Sequence, residues 1–130
     1  MSLSNASTLA QKTQRIEKYP LLGTRIVLDE KKILKDGKYD LEKMYKLIDE
    51  VALESGLIKI DKYTYHCKGN EKDLACLGIL LYKNLIHCDW FTLNVKEWDW
   101  ISEKEGNKDL ITANKARNMG VRVKTALNNL

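Results

Sequence analysis

The stretch from Asn70 to Ile101 most constrains the fold, because it holds all three tryptophans and the only phenylalanine of the 130-residue chain. Aromatic side chains bury more apolar area than most others, so a core has to form around this stretch. Its first half, Glu71 to Asn84, has Leu74, Leu77 and Leu81 on one helical face. This half therefore predicts a helix that is apolar nearly all round and centrally buried.

The second half, Leu85 to Ile101, changes from helical spacing to alternation. Phe91 and the alternate positions after it form the more apolar set, which indicates a strand or a strand pair packed against the helix. Trp98 and Trp100 would point the same way on such a strand, toward the core or toward a partly exposed aromatic surface. The core is the favoured interpretation, because aromatic residues dominate core burial.

Two further helices are indicated by capping residues that precede periodic apolar positions. Asp40 precedes the stretch Leu41 to Glu54, which has one apolar stripe, and Gly56 follows where a left-handed residue commonly ends a helix. Asp109 precedes a last helix that we expect from Leu110 to about Met119.

The remaining strands are predicted from β-branched or alternating residues bounded by turn signals. They are Thr24 to Leu28, a short returning strand at Ile33 and Leu34, and a strand or hairpin from Leu57 to Cys67 that turns near Asp61.

This order of elements is typical of an α+β domain in which about three helices pack on a mostly antiparallel sheet. We predict one small domain that covers residues 19–130, since a chain of 130 residues seldom divides further. Residues 1–18 include a segment rich in Ser, Thr, Asn and Gln without a periodic apolar face, so we expect them to be disordered.

Composition favours a cytoplasmic protein. The chain is 44% hydrophobic and 31% charged, and no apolar run reaches the length of a membrane span, so we expect no membrane partner. Three cysteines are an odd number without the spacing of a disulfide framework, which favours a reducing compartment. The first residues lack the charged and apolar regions of a signal peptide.

The net charge of +4 is concentrated at the two ends of the chain. Residues 113–130 contain four basic residues and no acid, whereas residues 29–112 have more acidic than basic residues. Basic ends are either solvated termini or contacts to a phosphate backbone. The candidate polyanion contacts are Lys115, Arg117, Arg122 and Lys124.

All histidines and cysteines fall within 23 residues, and they are His66, Cys67, Cys76, His87 and Cys88. Zinc takes thiolate and imidazole ligands, so the three cysteines with one histidine are the arrangement that would bind it. Adjacent His and Cys on a strand point to opposite faces, however, and the Cys-x-x-Cys spacing is absent. We therefore expect cysteines of the core, with no metal and no other cofactor.

No catalytic motif accompanies these residues. The chain lacks a Walker loop, a dinucleotide glycine motif and His-Glu-x-x-His, which argues against a nucleotide-dependent enzyme. Neither Cys67 nor Cys88 lies in a nucleophile motif. Strand periodicity would place Asp89, Glu97 and Asp99 on one face, where a solvated edge is a simpler interpretation than a paired-carboxylate site.

Two functions from different classes remain, with an enzyme of unknown type or a small zinc-binding protein as weaker alternatives. The favoured one is a non-catalytic protein that binds a protein partner, of the inhibitor, immunity or mobile-element accessory kind. Its candidate surface combines aromatic and acidic residues, which are Trp90, Trp98, Trp100, Asp89, Glu97 and Asp99. The other is a nucleic-acid-binding regulator, in which a winged-helix-like segment from residue 41 to 84 and the basic termini contact phosphates.

Overall fold

The computed structural model describes residues 19–116. They form an α+β domain, as the sequence predicts, built on a five-stranded antiparallel sheet. The strands are β1 (Leu22–Leu28), β2 (Leu57–Lys59), β3 (Thr64–Cys67), β4 (Val95–Ser102) and β5 (Lys108–Asp109). The helices are α1 (Glu30–Asp36), α2 (Leu41–Glu54), α3 (Asp73–Gly78), α4 (Asp89–Thr92) and α5 (Leu110–Ala116).

β1 is the central strand of a sheet with the order β2-β3-β1-β4-β5. Its residue Thr24 lies opposite Tyr65 of β3 on one side and opposite Trp100 of β4 on the other. β2 and β3 form the hairpin predicted between Leu57 and Cys67. Since β3 also pairs with β1, this hairpin is part of the main sheet.

α2 is the element that the sequence predicts best. It runs from Leu41 to Glu54, and the side chain of Asp40 accepts a hydrogen bond from the Lys43 amide at 3.2 Å. Met44 and Ile48 of the apolar stripe are fully buried. Gly56 follows with a φ of +97°, a conformation that favours glycine because it has no Cβ.

One hydrophobic core joins all five helices to one face of the sheet. The sheet contributes buried residues from four strands, and Leu110 of α5 completes the cluster; the sheet residues are Ile26, Leu28, Leu57, Tyr65, Cys67 and Trp98. Phe91 lies edge-on to Trp98, with ring centroids 5.0 Å apart. Burial of large aromatics at the middle of the core agrees with the area argument from the sequence.

The prediction of a strand or strand pair from Leu85 to Ile101 is only partly correct. The chain from Leu85 to His87 is a 3₁₀ turn and α4 follows it, so strand structure begins at Val95. Trp90 and Phe91 are neighbours in sequence and both are buried, at 1% and 0% exposure. A strand would send neighbours to opposite faces, whereas a helical turn wrapped by other elements can bury both.

The helix predicted from Glu71 to Asn84 begins as α3 and continues as a π-helix, Ile79–Asn84. The wider π turns are rare and re-phase a helix. Leu77, Leu80 and Leu81 are fully buried, but Leu74 is 63% exposed and Ile79 is 40% exposed. This helix therefore has an outer face, and the prediction that it is centrally buried all round is wrong.

The short strand predicted at Ile33 and Leu34 is instead part of α1. Asp29 caps this helix by accepting a hydrogen bond from the Lys32 amide at 3.3 Å, and Gly37 ends it with a φ of +62°. The last helix begins where it was predicted, because Asp109 accepts from the amides of Ile111 and Thr112. In residues 19–116, none of the helices is long and apolar enough to cross a membrane.

Candidate functional site

Because all helices join one core, the opposite face of the sheet has no helix against it within residues 19–116. None of its residues belongs to the hydrophobic cluster between the sheet and the helices, although Gly23 and Val27 of β1 are buried. We call it the open face, and it consists of Gly23, Arg25, Val27, Ile58, Thr64, His66, Glu97, Asp99, Ile101 and Asp109. An antiparallel sheet commonly packs one face and leaves the other available to solvent or to a partner.

Charged side chains occupy the middle of the open face. Arg25 Nη1 and Glu97 Oε1 form an ion pair across β1 and β4 at 2.6 Å. Asp99 lies directly opposite Arg25 in the register and also directly opposite Asp109 of β5. Two carboxylates therefore face each other across neighbouring strands, a pairing that is destabilising when both are ionised.

Burial raises the pKa of the Asp99 carboxyl above its usual range, and the negative charge of Asp109 raises it further. Arg25 acts in the opposite direction, but its guanidinium is already bound to Glu97. Partial burial favours the neutral form of a carboxyl, and a like charge within a few ångströms does the same. Burial and the charge of Asp109 therefore both disfavour the ionised form of Asp99.

The structure divides the predicted aromatic surface. Trp90 and Trp98 have exposures of 1% and 0%, so neither side chain is available to a partner in this fold. Trp100 is partly buried on the core side and packs against Tyr82, with ring centroids 6.4 Å apart. The core interpretation, made for Trp98 and Trp100, thus agrees with the full burial of Trp98 and the partial burial of Trp100, and Trp90 is buried in the core as well.

The predicted acidic residues are also divided. Glu97 and Asp99 share the open face of β4, but Asp89 lies in α4. The prediction that strand periodicity places all three on one face is wrong for Asp89, because the chain is helical there. Arg25 and Asp109 complete the charged group, and the sequence did not predict either of them. Arg25 lies more than 70 residues from its partners on β4, and Asp109 lies ten residues from Asp99 on a separate strand.

The predicted polyanion contacts lie at the far end of the chain. Lys115 is in α5. Arg117, Arg122 and Lys124 lie outside the described residues, as do the predicted disordered residues 1–18.

A polar cluster that the sequence did not indicate joins α1, α2 and the turn between β2 and β3. The hydroxyls of Tyr45 and Tyr63 both donate to Glu30 Oε2, at 2.7 and 3.1 Å. Lys62 Nζ lies 3.6 Å from the same oxygen. The hydrogen bond from Tyr45 is the main cause that lowers the pKa of Glu30, and burial only partly offsets it.

A cavity of about 220 Å³ lies beside this cluster, where β1 ends and α1 begins. We call it the terminal cavity, and it is lined by Val27, Leu28, Asp29, Glu30, Lys31, Tyr63 and Lys96. The guanidinium of Arg25 lies over the Tyr63 ring at 5.7 Å, which connects the terminal cavity to the open face. Cations over aromatic rings at this distance are attracted by the negative ring face.

A second cavity, of about 170 Å³, lies on the other side of α1. Lys32 Nζ at its wall donates to the Leu93 carbonyl at 2.6 Å. The other lysine of this cavity, Lys38, lies over the Tyr39 ring at 5.3 Å, so both cationic groups already have contacts within the protein.

Two of the three cysteines, Cys67 and Cys88, are core residues, and Cys76 is partly buried against the core. Cys67 and Cys88 are buried, and their thiols donate to the carbonyls of Asp73 and Asn84, each at 3.3 Å. Cys76 lies against Gly56. Within the described part of the chain, no three His, Cys, Asp or Glu side chains are grouped as metal ligands would be.

Comparison with known proteins adds no functional information, since no protein-family model, no curated protein and no solved structure matches this chain.

Proposed function

We propose that this chain is a non-catalytic domain that binds a partner protein through the open face of its sheet. The observation that supports this most is the helix-free face itself, with Arg25, Glu97 and Asp99 at its middle. A sheet fixed by a core on one side presents these groups in a rigid arrangement. Rigid groups lose little conformational entropy on binding, which favours affinity and specificity.

The order of charges along the open face favours a protein over a nucleic acid. Three acidic residues, Glu97, Asp99 and Asp109, lie close to basic Arg25 in a small area. A phosphate backbone is repelled by such carboxylates, whereas a protein can present basic and acidic groups in the complementary order. Apolar Ile58 and Ile101 toward one end of the face add the mixture that interfaces commonly have.

The cysteine environments support a role without catalysis. A reactive cysteine needs a thiolate that is at least partly accessible. Cys67 and Cys88 have exposures of 1% and 0%, and both thiols are bound to backbone carbonyls. Cysteine–histidine catalysis therefore has no support from the geometry.

The test is affinity capture from the cells that make the protein, followed by binding measurements with each purified candidate partner. A neutral variant of the open face, Glu97→Gln with Asp99→Asn, keeps the side-chain shapes and removes two charges. We expect it to bind the true partner at least tenfold more weakly than the wild type. Hydrogen exchange of the complex should show added protection in β1 and β4.

The matched control is Glu42→Gln with Glu50→Gln, which removes two charges from exposed positions of α2 on the other side of the molecule. This control should bind the partner as the wild type does. Equal loss in both variants would mean that only net charge matters and would contradict the proposal. Salt-sensitive binding to duplex DNA or RNA without any protein partner would contradict it in favour of the nucleic-acid alternative.

A further inference from the structure

We propose that the terminal cavity receives an acidic side chain from the partner protein, so that the partner inserts an Asp or Glu between Lys31 and Lys96. This inference rests on the proposed function, because it names the chemistry of the segment that the protein partner presents. The observations that support it are the cavity, the two lysines that line it and the partners of the neighbouring carboxylates.

The two lysines are the cationic groups of the terminal cavity that have no carboxylate partner. Within residues 19–116, Arg25 pairs with Glu97 and Lys62 with Glu30, but no ion pair includes Lys31 or Lys96. Both side chains are exposed and come from different elements, α1 and β4. Both line the same cavity, so a single anionic group bound there can pair with the two lysines together.

The carboxylates at the cavity wall offset the charge of these lysines only in part. Glu30 accepts hydrogen bonds from Tyr45 and Tyr63 and lies within ion-pair distance of Lys62. Asp29 accepts from the Lys32 amide as the cap of α1. Glu30 thus has a cation of its own, whereas Asp29 keeps its charge because its partner is a neutral amide. With Lys62 counted, three lysines and two carboxylates surround the cavity, which leaves a net charge of +1 for an anionic ligand.

The size and lining of the terminal cavity select a side chain rather than a larger ligand. Its volume of about 220 Å³ is below the roughly 300–1,000 Å³ typical of sites for whole small molecules. Val27, Leu28 and the ring of Tyr63 add apolar and aromatic surface to the charged groups. A Glu side chain has the matching parts, since a short apolar stem precedes its carboxylate.

The position beside the open face favours a peptide over a nucleic acid. Glu97 lies directly opposite Val27, a residue of the cavity wall, and Asp99 follows on the same face. A phosphate backbone that entered the terminal cavity would run toward these carboxylates. A peptide can pass an acidic residue to the cavity and basic residues to Glu97 and Asp99.

The experiment measures fluorescence anisotropy of three labelled probes with the full chain at low salt. The probes are a hexaglutamate peptide, a hexalysine peptide and a single-stranded oligothymidine of twelve nucleotides. We expect the hexaglutamate to bind, and Lys31→Gln with Lys96→Gln to weaken this binding at least tenfold. Amide NMR shifts on titration should concentrate around positions 27–31, 63 and 96.

The control variant is Lys46→Gln with Lys83→Gln, which removes the same charge from two other exposed positions. Unchanged hexaglutamate binding by this control supports the proposal. Equal weakening by both variants, absence of hexaglutamate binding, or tighter binding of the oligothymidine would each overturn it. A partner protein that depends on Glu97 and Asp99 but not on Lys31 and Lys96 would overturn this inference and leave the proposed function standing.

Discussion

Asp99 shows how one side chain is set by a pairing between strands. It faces Asp109 across β4 and β5, and its pKa is raised by burial and by that neighbouring charge. A folded pKa above the unfolded value means that folding takes up protons, so the ionised group costs stability at neutral pH. The cost fades as the pH falls through the raised folded pKa and is gone well below about 3.9, the ordinary value for Asp, because the group is then neutral in both states.

We therefore predict that Asp99→Asn stabilises the fold at pH 7 by about 0.5 kcal/mol, in the range of cross-strand pair energies. The gain should disappear when urea unfolding is repeated near pH 3. In the wild-type background, Asp109→Asn should lower the pKa of Asp99, measured from its carboxyl ¹³C shift. A pKa of Asp99 that does not move would show that Asp109 is not the neighbouring charge that matters.

Glu30 shows the opposite behaviour, because its pKa is lowered by the hydrogen bond from Tyr45. A lowered folded pKa gives stability that is present above the unfolded value of roughly 4.3 and is lost as the pH falls through the folded value. We predict that Glu30→Gln costs about 1 kcal/mol at pH 7, a reduced figure because the Glu30 side chain is 33% exposed.

For Glu30→Gln we would measure the midpoint of urea unfolding as a function of pH. The control is Glu42→Gln, at an exposed position of α2. The difference between wild type and Glu30→Gln should narrow below pH 4, while Glu42→Gln stays close to the wild type throughout. A difference that is constant from pH 7 to pH 3 would contradict the role of the ionised carboxylate.

At the scale of elements, glycine positions fix how helices meet their neighbours. Gly56 has a φ of +97°, and a Cβ at that position would lie 3.0 Å from Cys76 Sγ of α3. Gly37 also has a positive φ, +62°, but a Cβ there would meet nothing within 4 Å. Gly37 therefore needs glycine only for its positive φ, whereas Gly56 needs it both for its positive φ and for the space beside Cys76.

We predict that Gly37→Ala costs about 1 kcal/mol, the usual penalty of the left-handed conformation, and that Gly56→Ala costs clearly more. Denaturant unfolding of both variants measures the difference. Adding Cys76→Ala should recover part of the loss in Gly56→Ala, since it removes the atom in contact. Equal costs for the two glycine variants would show that the approach of Cys76 is unimportant.

The elements also show how far sequence patterns reach. The bounds of α2 were predictable because Asp40, one apolar stripe and Gly56 all indicate the same structure. The structure of the stretch from Leu85 to Thr92 was not predictable in this way. Its apolar residues alternate as in a strand, but they are equally compatible with helical turns that other elements surround. The helix α1 was predicted as a short strand, since Ile33 and Leu34 are too few apolar residues to define a period.

Only part of the candidate site was predictable from the sequence. Glu97 and Asp99 were found from alternation along β4, which is a local pattern. The pairing of Arg25 with Glu97 and the convergence of Glu30 with Tyr63 depend on strands and helices that are distant in sequence. A single sequence has no local signal for such contacts.

At the scale of the whole molecule, Trp98 belongs to the core that joins sheet and helices. We predict that Trp98→Ala destabilises the fold by about 3–5 kcal/mol, the range for aromatic truncation in a packed core. Thermal unfolding should show this loss directly. Trp98→Phe should lose less and should keep partner binding, and a selective loss of binding in a stable Trp98→Phe protein would contradict the core assignment.

The central position of β1 has a consequence for how the chain reaches its fold. Leu22 at the start of β1 lies opposite Ser102 at the end of β4, so the sheet cannot close until almost the whole described chain is available. During synthesis β1 leaves the ribosome early, and the edge of β1 that pairs with β4 stays unpaired until β4 emerges. Contacts of such long sequence separation slow folding, and an unpaired strand edge is prone to aggregation in the meantime.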